Sequence, residues 1–87
     1  MSVTFPNYSR SYDATRRAVR FWGYEKSMEW SFYMTEDALT HMRPSIAQDE
    51  AGFLSAFDSN RDLIYKTAAK VHARGRRGHY DLLAGDF

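Results

Sequence analysis

The sequence predicts an α+β domain in which a small antiparallel sheet packs against one long helix. Two patterns carry this prediction. Residues 17–34 alternate apolar and polar side chains with a period of two, which is typical of paired strands. Residues 49–73 repeat their apolar side chains every three to four positions, which is typical of a helix. Because the chain has 87 residues, we expect one domain spanning residues 1–87.

Composition narrows the class of protein. Hydrophobic residues make up 44% of the chain and aromatic residues 16%, so we expect a packed core and not a disordered chain. The sequence contains no cysteine, which excludes disulfides and fits a reducing compartment. No apolar run reaches the roughly 18 residues of a membrane span, and the first residues lack the pattern of a secretory signal. We therefore expect a cytoplasmic protein with no membrane contact.

A β-hairpin is predicted over residues 17–34. Its first strand places Val19 and Phe21 on one face, and Arg20 and Trp22 on the other. Residues 23–26 are predicted to form the turn, because they begin with a glycine. The second strand repeats large apolar side chains at every second position, which predicts one buried face: Met28, Trp30, Phe32 and Met34.

Three shorter elements complete the predicted fold. Thr35 before two acidic residues is a typical helix N-cap, and Pro44 sets the latest end, so a short helix is predicted over residues 36–42. Residues 79–83 alternate again and predict a C-terminal strand. Residues 3–5 are followed by proline and asparagine, so they form at most a short edge strand.

The long helix, predicted over residues 49–73, has one unexpected member in its apolar stripe. Either Ser45 or Asp49 is its N-cap. The stripe consists of residues spaced by three and four: Leu54, Phe57, Arg61, Ile64, Ala68 and Val71. A guanidinium buried there without a partner would cost several kcal/mol. We expect Arg61 to pair with Asp58, a sheet carbonyl or a C-terminal acid, or to extend its head into water; the alternative is that it binds a ligand.

Charge is unevenly distributed along the chain. The formal charge is +3 over residues 1–24, −5 over residues 25–62 and +3 over residues 63–87. If the fold brings the two basic ends together, they form one positive face that attracts an anionic partner; otherwise the signs intermix and cancel. The candidate anion-contact residues are the arginines of these two ends: Arg16, Arg17, Arg20, Arg74, Arg76 and Arg77. The C-terminal three also follow a predicted helix end, where basic side chains offset the dipole without any ligand.

Aromatic side chains accompany the N-terminal arginines. Trp22 and Tyr24 lie close in sequence to Arg20 and provide the stacking platforms that nucleic acid binding requires. Tryptophan, tyrosine and arginine also dominate protein–protein interfaces. Both alternatives place Trp22 and Tyr24 on a contact surface.

We find no catalytic, metal or cofactor motif in the sequence. The histidines, His41, His72 and His79, have no spacing typical of a zinc site and no cysteine to complete one. None is part of a recognisable triad spacing. The glycines near residue 75 follow a helix instead of preceding one, unlike a phosphate-binding loop. We therefore predict no catalytic residues, no metal and no cofactor.

Short segments along nearly the whole chain form a recognisable order: Phe5-Pro6-Asn7, Ser11-Tyr12-Asp13, Val19-Arg20-Phe21-Trp22-Gly23, Glu36-Asp37-Ala38-Leu39, Phe57 with Asn60-Arg61 and Ile64, Arg74-Gly75, Tyr80-Asp81-Leu82 and Asp86-Phe87. In this order the chain resembles a family of short bacterial proteins, domain-of-unknown-function family 1488. The resemblance implies a small α+β domain. It implies no activity and transfers no functional residue.

The sequence therefore leaves the biological role unknown and favours a binding protein over an enzyme. The leading hypothesis is a small non-enzymatic cytoplasmic module that acts through contact with a protein partner or as a homodimer. The alternative is a module that binds nucleic acid or another polyanion through a basic face.

Overall fold

The computed structural model describes residues 3–75 and 78–87. Its elements follow the chain in this order: β1 (Arg10–Asp13), β2 (Ala18–Glu25), β3 (Met28–Thr35), α1 (Glu36–Met42), α2 (Glu50–Ser59), α3 (Arg61–Ala73), β4 (His79–Leu82) and a 3-10 turn (Ala84–Asp86). The predicted α+β class is confirmed, and so are the short helix and, within a residue, the hairpin and the C-terminal strand.

The four strands form one sheet in the order β1-β2-β3-β4. The first three are antiparallel, but β4 runs parallel to β3. The prediction of a purely antiparallel sheet is therefore wrong at this edge. Between β3 and β4 the chain passes through all three helices, and a crossover of this kind returns the chain to the same end of the sheet and makes the next strand parallel.

The turn between β2 and β3 lies later than predicted. Glu25 pairs with Met28, so residues 26–27 form the loop, and Lys26 has a φ of 57°. Gly23 instead lies inside β2 and is buried. A Cβ on Gly23 would lie 2.7 Å from side-chain atoms of both Val3 and Phe5. This glycine therefore allows the N-terminal segment to pack closely against the sheet, and it does not make a turn.

The N-terminal strand also lies elsewhere than predicted. Within residues 3–5, only Thr4 forms a bridge, to Tyr24. The strand is β1, in a stretch that reads as loop because it is rich in serine and charged residues. Tyr12 anchors β1 by stacking on Phe53 of α2, with ring centroids 5.9 Å apart.

The predicted single helix over residues 49–73 is in fact two helices that meet at Asn60. The backbone of Asn60 leaves the helical region, with φ of −128° and ψ of 23°. Its side-chain Nδ2 donates to the Ala56 carbonyl at 2.8 Å, and its backbone N–H donates to the Phe57 carbonyl. Asparagine side chains compete for backbone hydrogen bonds in this way, so Asn60 ends α2. At the other end, the side chain of Asp49 accepts from the Gly52 N–H, so Asp49 is the N-cap.

The core lies between the inner face of the sheet and the three helices. The apolar stripe of the helices is buried as predicted from Phe57 through Ile64 and Ala68 to Val71. These residues pack with the inner-face side chains of the strands, which include Val19, Phe21, Phe32, Met34, Tyr80 and Leu82. Met28 is an exception to the predicted buried face. It lies next to the hairpin loop and is 54% exposed.

Candidate functional site

The sheet has a second face, opposite the core, which we call the open face. By strand alternation and register it carries these residues: Ser11, Asp13, Ala18, Arg20, Trp22, Tyr24, Glu29, Ser31, Tyr33, Thr35, His79 and Asp81. The buried residues of all three helices pack with the other face, so no described helix covers this one. Arg16, from the turn before β2, reaches over its centre.

Tyr33 lies at the centre of the open face under two arginines. Tyr33 is only 6% exposed, yet it does not belong to the hydrophobic core cluster. The guanidinium carbon of Arg16 lies 4.4 Å from the centroid of the Tyr33 ring, and that of Arg20 lies 5.8 Å from it. Arg20 also lies 5.2 Å from the ring centroid of Trp22. These cation–π contacts hold two positive charges close to an aromatic surface.

Polar contacts fix this arrangement further. The Nη2 of Arg20 donates to the Ser31 hydroxyl at 2.9 Å. The Nη1 of Arg16 lies 3.4 Å from the His79 Nε2, and the His79 ring packs edge-on against Tyr33 with centroids 5.5 Å apart. His79 brings the start of β4 into contact with the turn before β2. The open face is thus an ordered cluster of cationic and aromatic groups.

The arginines predicted as one anion-contact set are divided by the fold. Arg16 and Arg20 share the open face with Trp22. Arg17 instead bonds to Glu36, with Nη2 3.3 Å from Oε1, and Arg74 bonds to Asp86 at 3.0 Å. Two further members of the predicted set, Arg76 and Arg77, lie outside the described residues. Among the described residues, the N-terminal and C-terminal basic segments therefore meet only where Arg16 approaches His79.

The predicted contact aromatics lie on neighbouring positions of β2. Trp22 is partly exposed beside Arg20. Tyr24 is partly exposed near the hairpin end, where its hydroxyl donates to the Glu29 carboxylate at 2.5 Å and accepts from Asn7 at 3.3 Å. Trp22 thus remains available for contact at the middle of the face, whereas Tyr24 is held at its edge.

Tyr33 and His79 are site residues that the sequence did not identify. Tyr33 alternates with the buried residues of β3 and was therefore predicted on the water-facing side. Its place directly across the hairpin from Arg20 depends on the observed register, because the predicted turn at residues 23–26 would put Glu29 opposite Arg20. His79 also had no sequence signal, because its position depends on where β4 joins the sheet.

Arg61 is explained by a structural cluster on the helical side. Its Nη2 donates to Asp58 Oδ1 at 2.8 Å and to the Tyr8 carbonyl at 3.0 Å. Asp58 also accepts a two-pronged bond from Arg10 of β1, at 3.1 and 2.8 Å. The hydrogen bond from Arg10 is the largest cause that holds the pKa of Asp58 below its usual value; burial opposes it, and the hydrogen bond from Arg61 adds to the lowering. The predicted pairing of Arg61 with Asp58 is confirmed.

A separate cleft of about 500 Å³ lies between the hairpin loop and the end of α3. Trp30, His72 and Tyr80 form its aromatic side, and the His72 Nε2 lies 3.9 Å from a carboxylate oxygen of Glu25. The indole N–H of Trp30 is buried and finds no acceptor within the described chain. Of the residues that line the cleft, Tyr80 belongs to the core and Trp30 packs against it.

Within residues 3–75 and 78–87, no three histidine or acidic side chains lie close enough together to hold a metal ion. No helix in the same ranges combines the length and apolarity needed to cross a bilayer.

Comparisons with known proteins agree with the fold. A crystal structure at 1.60 Å of a DUF1488 family protein of unknown function from Shewanella loihica PV-4 superposes with a TM-score of 0.81 at 20% identity, over 92% of this chain and 90% of that one. Among curated proteins nothing matches. The family model described as "Protein of unknown function (DUF1488)" matches residues 3–83. The chain therefore belongs to the DUF1488 family.

Proposed function

We propose that this chain is a non-enzymatic binding module that contacts a protein partner through the open face. The observation that carries the proposal is the cluster of exposed Arg16 with partly exposed Arg20 and Trp22 around Tyr33, on a sheet face that no described helix covers. Tryptophan, tyrosine and arginine are the residues most often found as energetic hot spots of protein interfaces. A rigid sheet presents them with little loss of side-chain entropy on binding.

A partner other than a second copy is favoured by the size of the face. Its strands have 4, 8, 8 and 4 residues. With a rise of about 3.3 Å per residue and a strand spacing of about 4.8 Å, the face projects roughly 400 Å². A standard interface buries about 800 Å² on each partner. A second copy would need contacts beyond this face to reach a standard interface, whereas a short segment of another protein fits it.

Nucleic acid is the less favoured partner. Two of the arginines that such binding was expected to use, Arg17 and Arg74, already bond to carboxylates. Acidic side chains also border the open face, with Glu29 and Asp81 on its strands. A phosphate backbone would pass close to these carboxylates, which would oppose binding.

We place the module in the cytoplasm, in keeping with its cysteine-free sequence.

The test compares partner capture by two variants of the chain. Immobilised wild type, Trp22→Ala and Leu63→Ala are incubated with extract of the native host, and captured proteins are quantified by mass spectrometry. Leu63 is the matched control, because it is 50% exposed but lies on α3, on the far side of the sheet. Loss of an interface hot spot costs about 2 kcal/mol or more, which is a roughly thirtyfold weaker affinity.

The expected result is a discrete partner that the wild type and Leu63→Ala retain and that Trp22→Ala loses. A partner lost equally with both variants, or only with Leu63→Ala, would refute the assignment of function to the open face. Light scattering on the same three proteins measures self-association. A stable dimer that Trp22→Ala dissociates would replace the foreign partner with a second copy.

A further inference from the structure

The two arginines of the open face differ from most other arginines in their charge partners. Four described arginines each have a carboxylate oxygen within 3.3 Å: Arg10, Arg17, Arg61 and Arg74. The closest carboxylate to Arg16 is that of Asp13, at 3.9 Å. Arg20 has none within 4.0 Å among residues 3–75 and 78–87, although its side chain lies in the middle of the sheet. Two guanidinium charges on this face are therefore not closely neutralised.

These guanidinium groups also keep unused hydrogen-bond donors. Arg20 donates through Nη2 to Ser31, and its Nε is buried out of reach of a ligand, so Nη1 is the donor that it keeps without an acceptor among the described residues. Among the described residues, the Arg16 guanidinium has one further polar contact besides Asp13, the 3.4 Å approach to His79 Nε2. Guanidinium groups bind carboxylates through two parallel N–H bonds where geometry allows. Both groups therefore retain N–H donors that a carboxylate from outside the chain can accept from.

The separation of the two groups suits an extended peptide. Their guanidinium carbons lie 4.4 and 5.8 Å from the same Tyr33 ring centroid, so they are at most about 10 Å apart, the sum of those distances. In an extended chain, side chains two positions apart point the same way and lie roughly 6.6–6.8 Å apart at the backbone. Two acidic side chains at positions i and i+2 fall within this upper limit.

We infer that the open face binds an extended acidic segment of a partner protein, with carboxylates at i and i+2 held by Arg16 and Arg20. This inference rests on the binding function proposed above and names the chemistry of the partner. A peptide can place its charges only at the two arginines and neutral residues near Glu29 and Asp81. Trp22, one row further along β2, then packs an apolar side chain of the same segment.

Binding of designed peptides tests the inference. The probe is a fluorescein-labelled decapeptide with two glutamates separated by one valine, flanked by serine and valine. Three labelled probes serve as controls. They are a peptide of the same composition with its two glutamates adjacent, a peptide with lysine in place of both glutamates, and a deoxythymidine decamer. Fluorescence anisotropy is measured at low and physiological ionic strength with the wild type and with the variants Arg16→Gln, Arg20→Gln and Arg43→Gln. Arg43 is the control, because it is exposed and lies after α1, away from the open face.

We expect the alternating peptide to bind more tightly than each of the other three probes. Each open-face substitution should weaken it roughly fivefold, the effect of a partly exposed ion pair, and Arg43→Gln should leave it unchanged. Undetectable binding of the peptide, an equal loss with Arg43→Gln, or tighter binding of the deoxythymidine decamer would overturn the inference. If the host partner of the capture experiment is lost with Trp22→Ala but retained with Arg16→Gln and Arg20→Gln, the binding function stands and only its acidic chemistry fails.

Discussion

Asp58 links β1 to the helices, so its replacement should destabilise the fold in a way that depends on pH. Its carboxylate accepts three hydrogen bonds, two from Arg10 and one from Arg61. The side chain of Asp58 is 39% exposed and that of Arg61 is 14% exposed. Asp58→Asn keeps the shape of the side chain but removes the charge that both arginines share.

The expected loss at pH 7 is about 1–2 kcal/mol in the free energy of unfolding. Each partly exposed ion pair contributes about 0.2–1 kcal/mol, and a larger share falls to Arg61 because it is mostly buried. Arg61 keeps its bonds to the Tyr8 carbonyl and the Tyr65 hydroxyl, which limits the damage. For a chain of this size such a loss lowers Tm by roughly 5–10 °C.

The pH dependence has a definite sign. The pKa of Asp58 is lowered in the folded state, mainly by Arg10. Its contribution is therefore fully present above the ordinary aspartate pKa of about 3.9 and is lost as pH falls through the folded value. The stability difference between wild type and Asp58→Asn should be constant from pH 7 to about 5 and should shrink below about pH 4.

Urea unfolding followed by tryptophan fluorescence, repeated across this pH range, measures the difference. Asp62→Asn is the matched control, because Asp62 lies exposed in the first turn of α3 without an ion pair among the described residues. It should cost about 0.5 kcal/mol or less, through the helix dipole. Equal stability of wild type and Asp58→Asn at pH 7, or a difference that persists unchanged at pH 2.5, would refute the reasoning.

Three further predictions concern single positions. Gly23→Ala should lower the free energy of unfolding by about 1–2 kcal/mol, because the added Cβ would lie 2.7 Å from Phe5 and Val3 atoms in the core; Gly85→Ala, where nothing lies within 4 Å, should change it by less than about 0.5 kcal/mol in the same urea assay. Lys26→Gly should raise the free energy of unfolding by about 0.5–1 kcal/mol, since Lys26 has a φ of 57° that glycine adopts without strain. A lower Tm for this variant in thermal unfolding would contradict the prediction. The pKa of Tyr12 is raised because its hydroxyl donates to the Glu36 carboxylate. An ultraviolet titration should therefore show a tyrosine that ionises above the ordinary value of about 10, and the Glu36→Gln substitution should return the pKa of this tyrosine towards that value.

Local signals predicted the elements that local chemistry determines. The alternation of β2 and β3 matches their buried faces, and Thr35 caps α1 through its side chain, which accepts from the Ala38 N–H. Asn60 escaped prediction because the apolar repeat continues through it from Phe57 to Ile64. Gly23 was misread because glycine serves turns and close packing alike, and only the tertiary position of Phe5 separates the two uses.

The sequence predicted only part of the candidate site, because the ion-pair partners of two of its arginines are far away along the chain. The charges of Arg17 and Arg74 are neutralised by Glu36 and Asp86, which lie 19 and 12 residues away in sequence. Such partners are chosen by the fold and carry no local pattern. Arg20 and Trp22 were identified correctly as neighbours on one strand face, because strand alternation alone places them there.

In-cell photo-crosslinking tests the open face as the functional surface most directly. A photo-reactive phenylalanine replaces Ser11, which is exposed on β1 and pairs with Arg20, or Lys66, which is exposed on α3. The account predicts that the Ser11 position crosslinks to a discrete partner protein in the native host and that the Lys66 position does not. Crosslinking from Lys66 alone, or from neither position, would contradict it.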